Sequence, residues 1–349
     1  MKNPITSSSK LVAIIGAGPA GIEAAAILAD YADVVIYEKA DAPLPNVTDK
    51  AFLFPNFADA QEVAARLRAK LHHPRIKLAT SREVSRIVPP TDGRARWLVD
   101  GEPYDAVLLA SGYKPFDAHR KEELGYGIYA GVCTSLEMER LIRGQQLVTP
   151  LGEAPKRVVF LQCVGSRDEK TGNRYCSKLC CVTAVKQAIE VKRLSPATEV
   201  YLFYMDLRLW GQHFEELYRT AQQEYGIKFI RGRISEASST FDGRVQIKAE
   251  DTLMGLPVTI TADMLVLMVG MEASAGTTRL ATQCQICGEY GFAQSKEPHL
   301  EDNLTPRRRL LVAGTCKRPM SLTDAVNDGR SAAWQMLGEL SGGNGRIEE

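Results

Sequence analysis

From Lys10 the chain reads KLVAIIGAGPAGIEAAAILADYADVVIYEK: an apolar, β-branched run, a glycine turn, an alanine-rich stretch, and a second apolar run, VVIY, ending at Glu38. Short apolar runs bounded by turn residues predict buried strands, and the alanine-rich stretch between them predicts a helix, so these residues form one βαβ unit. A Pro-rich loop (DAPLPN), a helix over AQEVAARLRAKLHH, strand and turn pieces around RIVPPTDGRARWLVDG and the buried strand YDAVLLASG follow. The first half-domain closes near Phe116. TSLEMERLI then reads as a short capped helix, and KRVVFLQCVG opens a second βαβ unit with the helix SKLCCVTAVKQAIEVKRL and the strand EVYLFYMD. The helix FEELYRTAQQEYG, the strand IKFIRGRI, a hairpin-like pair (RVQIKAED and LPVTITAD) and the apolar strand MLVLMVG continue this lobe to Gly270. The last section, RRRLLVAGTCKRPMSLTDAVNDGRSAAWQMLGEL, predicts a strand, a glycine turn and a closing helix. Strands alternating with helices imply an α/β fold with doubly wound parallel sheets. No repeat beyond the two βαβ lobes is evident, and the first nine residues and the tail SGGNGRIEE are expected to be mobile.

Composition narrows the functional classes. With 349 residues, 45% hydrophobic and 24% charged, the chain can bury two or three packed subdomains. The net charge of +1, with no like-charge block longer than Arg307 to Arg309, offers no footprint for a nucleic acid or an anionic membrane. No run approaches the roughly eighteen apolar residues that span a bilayer, and the polar N-terminus MKNPITSSSK lacks the apolar core of a secretory signal. A cytoplasmic protein is expected. In that compartment clustered cysteines are metal ligands or redox groups more often than structural disulfides.

GAGPAG directly follows a strand and opens a helix, and Glu38 ends the next strand seventeen positions after Gly21. Gly16 permits the tight turn, Gly18 lets the backbone approach a pyrophosphate, Gly21 allows helix-strand packing, and the helix N-terminus around Pro19 and Ala20 offers unpaired N–H groups to the anion. Glu38, with Lys39 beside it, is placed to accept hydrogen bonds from ribose hydroxyls. FAD and NAD both satisfy this fingerprint. Ala110-Ser111-Gly112 and the late turn at Gly314, Thr315, Cys316 and Lys317 are placed as in two-dinucleotide-domain flavoproteins, where such turns close over FAD. The final helix, starting at Leu322, Thr323 and Asp324, would point its positive end toward the flavin. The second lobe departs: after VVFL it carries QCVGSRD in place of another GxGxxG, which puts a nicotinamide pocket in doubt.

Cys163, Cys176, Cys180 and Cys181 fall within nineteen positions of a chain with eight cysteines. If Cys163 ends a strand and Cys180 and Cys181 lie on the next helix, strand end and helix start can converge thiolates. Four such ligands suit an iron–sulfur cluster; four-cysteine zinc, a strained vicinal disulfide and four buried apolar thiols are the alternatives.

LQCVGSRDEKTGNRYCSKLCCVTAVKQAI followed by YMDLRLWGQHFEELYRTAQQEYGIKFIRGRI resembles HdrA, the flavoprotein component of heterodisulfide reductase, with its Cys-x12-Cys-x3-Cys-Cys motif. The similarity runs from GAGPAG through ELGYGIY and TSLEMERLI to the AGT turn. It implies a thioredoxin-reductase-like flavoprotein divided as 1–122 and 272–349 for FAD and 123–271 for a middle lobe carrying the cluster. It also implies Cys163, Cys176, Cys180 and Cys181 as ligands of a [4Fe–4S] cluster near the flavin, and Lys186 as a catalytic lysine near the isoalloxazine. The extra ferredoxin-type cysteine runs of the methanogen proteins are missing, so the chain resembles the short HdrA-like subunit of the sulfur-oxidising Hdr-like (sHdr) complex. The resemblance implies electron transfer in oxidation of protein-bound sulfane sulfur, HdrB-like and HdrC-like partner subunits, a lipoate-carrier protein acting through the complex, and a homodimer. GTCKRP departs from the family by its Cys316 and Lys317.

Three other readings stay open. CQIC, with Cys284 and Cys287, resembles the redox pair of thioredoxin reductase and would serve an NAD(P)H-dependent disulfide reductase. A QmoA-like subunit of a menaquinone-linked oxidoreductase predicts the same cofactors. A scaffold retaining FAD for stability predicts no redox change. Cys133 reads as structural, and His72, His73, His119, His213 and His299 show no metal spacing.

Overall fold

The structure is a computed structural model that describes residues 9–91 and 96–342. The termini expected to be mobile fall, for residues 1–8 and 343–349, outside the described residues. The chain forms two units, one of residues 1–46, 64–114 and 272–349, the other of residues 47–63 and 115–271.

In the first unit five parallel strands lie in the order Leu310–Val312, Ala106–Leu109, Leu11–Ile15, Asp33–Tyr37, Ile76–Ala79. LVAII and AVLL are β-branched or aliphatic throughout because a parallel sheet is covered on both faces, and Val12 to Ile14 and Ala106 to Leu108 are fully buried. On one face Ala13, Ile15, Leu109 and Val312 share a core with Trp97 and Tyr104 of a small antiparallel sheet, Ile87–Val88, Trp97–Val99 and Glu102–Tyr104. Helix Pro19–Leu28 packs closely on helix Leu322–Leu340. Gly329 makes that approach possible, since a Cβ there would stand 2.3 Å from the Ala20 carbonyl oxygen.

The second unit repeats the plan. Its parallel strands lie in the order Val132–Thr134, Met264–Val269, Arg157–Val164, Glu199–Tyr204, Lys228–Arg231, joined by an antiparallel sheet of Ile234–Ser239, Val245–Asp251 and Leu256–Ala262. Along Arg157–Val164 the side chains alternate between faces. Val158 and Phe160 meet Val182, Val185 and Ile189 of helix Cys180–Leu194, whereas Val159 and Leu161 meet Ile247 and Ile260 of the antiparallel sheet.

Residues 47–63 belong with this second unit, a segment that a reading of 1–122 as part of the FAD domain does not separate. Its Ala51, Phe54 and Phe57 pack into the core beneath helix Cys180–Leu194. Four strands share one order in both lobes, while the edge strand comes last in the chain in one (Leu310–Val312) and first in the other (Val132–Thr134), and a topological switch point lies beside Leu11–Ile15 in one and beside Arg157–Val164 in the other. Open α/β sheets bind their ligands outside the strand ends at this point.

Candidate cofactor and cluster sites

At the first switch point, strand Leu11–Ile15 ends in the glycine turn. Gly16 has φ 113°, and a Cβ there would lie 2.4 Å from the Ala110 carbonyl oxygen; one at Gly21 would lie 2.0 Å from the Gly16 carbonyl oxygen. Gly18 differs: nothing lies within 4 Å of where its Cβ would be. Gly18 is also the N-cap of helix Pro19–Leu28 and provides no side-chain cap, with Pro19 in the first turn. An open cradle over uncapped N–H groups fits a pyrophosphate.

Glu38, 7% exposed, accepts from Ala17 N–H at 2.8 Å and Ala40 N–H at 2.9 Å. Its carboxylate therefore fixes the rim of the turn, with Lys39 next to it, and retains acceptor capacity. Ala110 ends the neighbouring strand, donating to Ile15 O. The Ser111 and Thr277 hydroxyls are 2.7 Å apart, and Thr277 donates to Gly112 O at 3.1 Å. The late turn, Gly314 to Cys316, is a single 3-10 turn in which Gly314 N–H donates to Asp328 Oδ2 at 2.6 Å.

Thr315 lies in that turn, but the side chains of its two neighbours turn inward. Cys316 is fully buried, its thiol donates to Leu109 O and Ala313 O at 3.1 Å each, and burial pushes its pKa up to about 12. Lys317 Nζ is held by Asp302 Oδ2 at 2.8 Å and Asp328 Oδ1 at 2.7 Å. Any contact of these two with a cofactor is left to their backbone. Helix Leu322–Leu340 starts in a capping box, Asp324 N–H donating to Ser321 Oγ and Asp324 Oδ2 accepting from Ser321 N–H, so an acid sits beside Leu322 and Thr323 at the positive end.

At the second switch point the four cysteines lie within electrostatic reach of one another. Strand Arg157–Val164 breaks register with its neighbour between Leu161 and Val164, and Cys163 takes a left-handed φ of 59°. Arg167 and Lys178 are left-handed too, at φ 53° and 65°. Such conformations cost about 1–3 kcal/mol each and persist where the surroundings demand them. The bulge re-aims the Cys163 side chain, while Cys180 and Cys181 open helix Cys180–Leu194.

Burial raises the thiol pKa values of Cys163, to about 11, of Cys180, higher still, and of Cys181; the charge of Cys176 adds to the rise at each, and that of Cys181 to the rise at Cys163 and Cys180. Among the described residues no three His, Cys, Asp or Glu side chains converge as ligands of a single ion, which would sit about 2.3 Å from each sulfur.

The thiols meet donors as well as acceptors, among the latter the Asp206 carbonyl oxygen 3.6 Å from Cys181 Sγ. Lys178 N–H donates to Cys176 Sγ at 3.3 Å and Arg208 N–H to Cys181 Sγ at 3.4 Å, while Cys181 Sγ donates to Gln162 Oε1 at 3.1 Å. Arg167 bonds Asp206 at 2.6 Å and its guanidinium lies against Cys163. Gln162 Nε2, Ser166 Oγ and Arg167 Nη1 are buried without a partner. Buried polar atoms without partners are uncommon in folded proteins, and these three stand in the segment that carries Cys163. The residues present fit an anionic, sulfide-bearing cluster. None of Gln162, Ser166, Arg167 and Arg208 was anticipated from sequence; the first three stand in the LQCVGSRD motif, but Arg208 is brought in only by the fold.

Lys186 is 1% exposed. Its ammonium donates to Glu139 Oε1 at 2.6 Å and Phe52 O at 2.9 Å and stands 3.2 Å from Glu190 Oε2. The amide of Gln187 also donates to Glu139 Oε1, at 2.8 Å. Lys186, Lys50 and the Gln187 bond hold the Glu139 carboxyl below its ordinary range against the effect of burial, whereas burial and Glu139 push Glu190 up to about 8. Lys186 thus anchors the carbonyl of Phe52 and offsets a buried acid pair. The acids were not anticipated, although Glu190 lies one turn from Lys186, a spacing readable from sequence.

The CQIC pair is split: Cys284 is 2% exposed in the core of the first unit with its thiol pushed up to about 11, and Cys287 is exposed. Burial raises Cys133 to about 12. No described helix is long and apolar enough to cross a membrane.

Residues 4–145 match the family described as pyridine nucleotide-disulphide oxidoreductase. The chain is 42% identical over 252 residues to the HdrA component of the H(2)/formate:CoB-CoM heterodisulfide,ferredoxin reductase of Methanococcus maripaludis, covering 69% of this chain and 38% of that one. It is 40% identical over 252 residues to the iron-sulfur HdrA component of the CoB--CoM heterodisulfide reductase of Methanocaldococcus jannaschii, with the same coverage. The chain therefore spans well under half the length of these curated relatives. Among solved structures, thioredoxin reductase from Lactococcus lactis matches with a TM-score of 0.68 at 18% identity, over 95% of this chain and 99% of that one. This likeness gives the fold: a two-domain α/β oxidoreductase architecture with parallel sheets.

Proposed function

We propose, from the premise that this chain is a relative of the HdrA component of heterodisulfide reductase, that it is an electron-transfer flavoprotein binding FAD in its first unit and a [4Fe–4S] cluster in its second. The observation that carries the reading is the set of buried polar atoms without a hydrogen-bond partner, Gln162 Nε2, Ser166 Oγ and Arg167 Nη1, in the cysteine-bearing segment where a nicotinamide lobe would have glycines. FAD converts two-electron into one-electron transfers, and a cluster exchanges one electron at a time.

The protein's own part is to hold and tune these groups. Gly16, Gly18 and Gly21 with Pro19 and Ala20 cradle a pyrophosphate, Glu38 and Lys39 take the ribose end, and Ala110 to Gly112, Gly314 to Lys317 and Leu322 to Asp324 line the flavin. Cys163, Cys176, Cys180 and Cys181 ligate as thiolates, so assembly must displace protons that burial otherwise keeps on Cys163, Cys180 and Cys181. The N–H groups of Lys178 and Arg208 and the Arg167 guanidinium stabilise negative charge on the sulfurs, which raises a cluster's potential. Lys186 acts as a positioning residue through Glu139, Glu190 and Phe52.

Within this reading the chain serves cytoplasmic sulfane-sulfur oxidation as an sHdr-type subunit. It is a homodimer handing electrons to or from HdrB-like and HdrC-like subunits, with a lipoate carrier reached through the complex. Anaerobic purification with assays of FAD, iron and acid-labile sulfide tests it. About one FAD and four each of iron and sulfide per chain are expected, with an EPR signal of the reduced cluster that Cys180→Ala and Cys181→Ala abolish. FAD without iron, or zinc in its place, would overturn the cluster. Co-purification with quinone-linked subunits would instead identify the QmoA-like setting.

A further inference from the structure

In the first unit the turn after strand Leu310–Val312 is held by one carboxylate. Asp328, on helix Leu322–Leu340, accepts from Gly314 N–H at 2.6 Å through Oδ2. Its other oxygen, Oδ1, accepts from Lys317 Nζ at 2.7 Å and from Asn303 Nδ2 at 2.9 Å. The buried Asn303 also donates to Val312 O at 3.0 Å, and its carbonyl accepts from Val312 N–H at 2.9 Å. Strand end and turn therefore hang on a single side-chain cluster.

The peptide that Asp328 orients is confined by packing as well. Gly314 is left-handed at φ 75°, and a Cβ there would lie 2.8 Å from the Ala20 Cβ, in the helix that follows the glycine cradle. Gly329, next to Asp328, meets the Ala20 backbone. A carboxylate built so closely behind the turn also brings charge to it, and Lys317 offsets that charge. Lys317 Nζ stands 2.8 Å from Asp302 Oδ2, and the Arg318 guanidinium bonds both Asp302 oxygens, at 2.8 and 2.6 Å. Two acids and two bases thus form a set of zero net charge, with the Lys317 side chain only 2% exposed. Charges so placed are screened little by water.

We propose that Asp328 is the positioning residue of the flavin turn, fixing the Gly314 amide and with it the backbone of Thr315 to Lys317, and that Lys317 is its counter-charge, raising the reduction potential of the flavin. The proposal rests on the FAD reading above and adds which side chains set the geometry and charge of that wall. A flavin gains negative charge on reduction, so an uncompensated carboxylate behind the turn disfavours the reduced form.

Three variants of the full chain test this, with FAD affinity measured by titrating flavin-stripped protein and the flavin midpoint by anaerobic dye-equilibrated redox titration. In Lys317→Gln the carboxylates keep other donors, Asp302 from Arg318 and Asp328 from Gly314 and Asn303. Its flavin midpoint is expected to fall below the parent's. Adding Asp328→Asn restores neutrality and leaves an acceptor for Gly314 N–H, so midpoint and affinity should return to parental values. Adding Asp328→Ala instead restores neutrality without the acceptor, and the Kd for FAD should rise roughly tenfold, the worth of about one hydrogen bond. Both double variants remove the pair as a whole, so neither leaves an unpaired buried charge. Should either fail to fold, the Lys317→Gln midpoint still decides. A parental midpoint in Lys317→Gln, or parental affinity in the Asp328→Ala chain, overturns the proposal. A parent that takes up no FAD overturns the FAD reading instead, so the two failures are distinguishable.

Discussion

Glu190 shows how much a single buried proton matters. Its carboxyl, 2% exposed, has Lys186 3.2 Å away but no well-aligned donor, and Glu139 competes for the same ammonium. Beyond these, Arg193 faces Glu190 and Lys50 faces Glu139. With the Glu190 pKa raised from 4.5 to about 8, the folded chain keeps a proton that the unfolded chain releases between those values. The folded state then binds more protons, so this group makes stability fall as pH rises through the window, and above it the loss is constant. Glu190→Gln is expected to match the parent near the acid end and to exceed it by a few kcal/mol, on the order of the shift itself, above the window. Urea midpoints at both ends check this; parallel curves for parent and variant would remove Glu190 as the carrier of the proton. The sequence displayed the Lys186 and Glu190 spacing, but not that Glu139, forty-seven positions upstream of Lys186, completes the site, because that contact exists only once two helices pack.

At the scale of elements, the glycine turn separates packing from binding. Gly21→Ala would drive a Cβ to within 2.0 Å of a backbone oxygen, whereas Gly18→Ala meets nothing within 4 Å. Gly21→Ala should therefore destabilise the chain by roughly 1–3 kcal/mol, as overpacking does. Gly18→Ala should fold with its unfolding midpoint unchanged when stripped of flavin, yet lose most of its FAD, because the methyl occupies the space a pyrophosphate needs. Absorbance at the flavin band and thermal unfolding of the flavin-free chains distinguish the two. FAD retention by Gly18→Ala would mean that the cradle is not the phosphate site. This motif was legible because strand, turn and helix are contiguous and each carries its own period. The thiol loop was legible only as a spacing. Its bulge, its left-handed Cys163 and its orphaned donors follow from how residues 163–181 close over a strand end, and no local propensity encodes that. The inward turn of Cys316 and Lys317 was hidden for a related reason: Asp302 and Asp328, which hold Lys317, lie on either side of it in sequence without any motif.

For the whole molecule, two lobes that share the order of four strands carry different residues at the same topological position: glycines after Leu11–Ile15, thiols at and after the end of Arg157–Val164. The alternation of strands and helices made both lobes readable, but residues 47–63 joined the second unit without a signal, since the pieces around FLFPNF are too short to show a period. The contrast between the lobes favours an electron hub over an autonomous disulfide reductase. The latter needs a nicotinamide-binding glycine turn in the second lobe and two thiols able to meet a disulfide substrate. In place of the turn stands QCVGSRD, and of the CQIC pair Cys284 is buried with a raised pKa while Cys287 is exposed. A buried, protonated thiol is a poor nucleophile. The purified chain should accordingly show no stoichiometric NADPH oxidation with thioredoxin-like disulfides. Cys287→Ser should leave the flavin and cluster reducible at parental rates, whereas Cys163→Ser should abolish the cluster signal. Rapid NADPH-dependent disulfide reduction that dies with Cys287→Ser and survives Cys163→Ser would reverse the assignment, because the thiols after the second strand would then be bystanders to the chemistry.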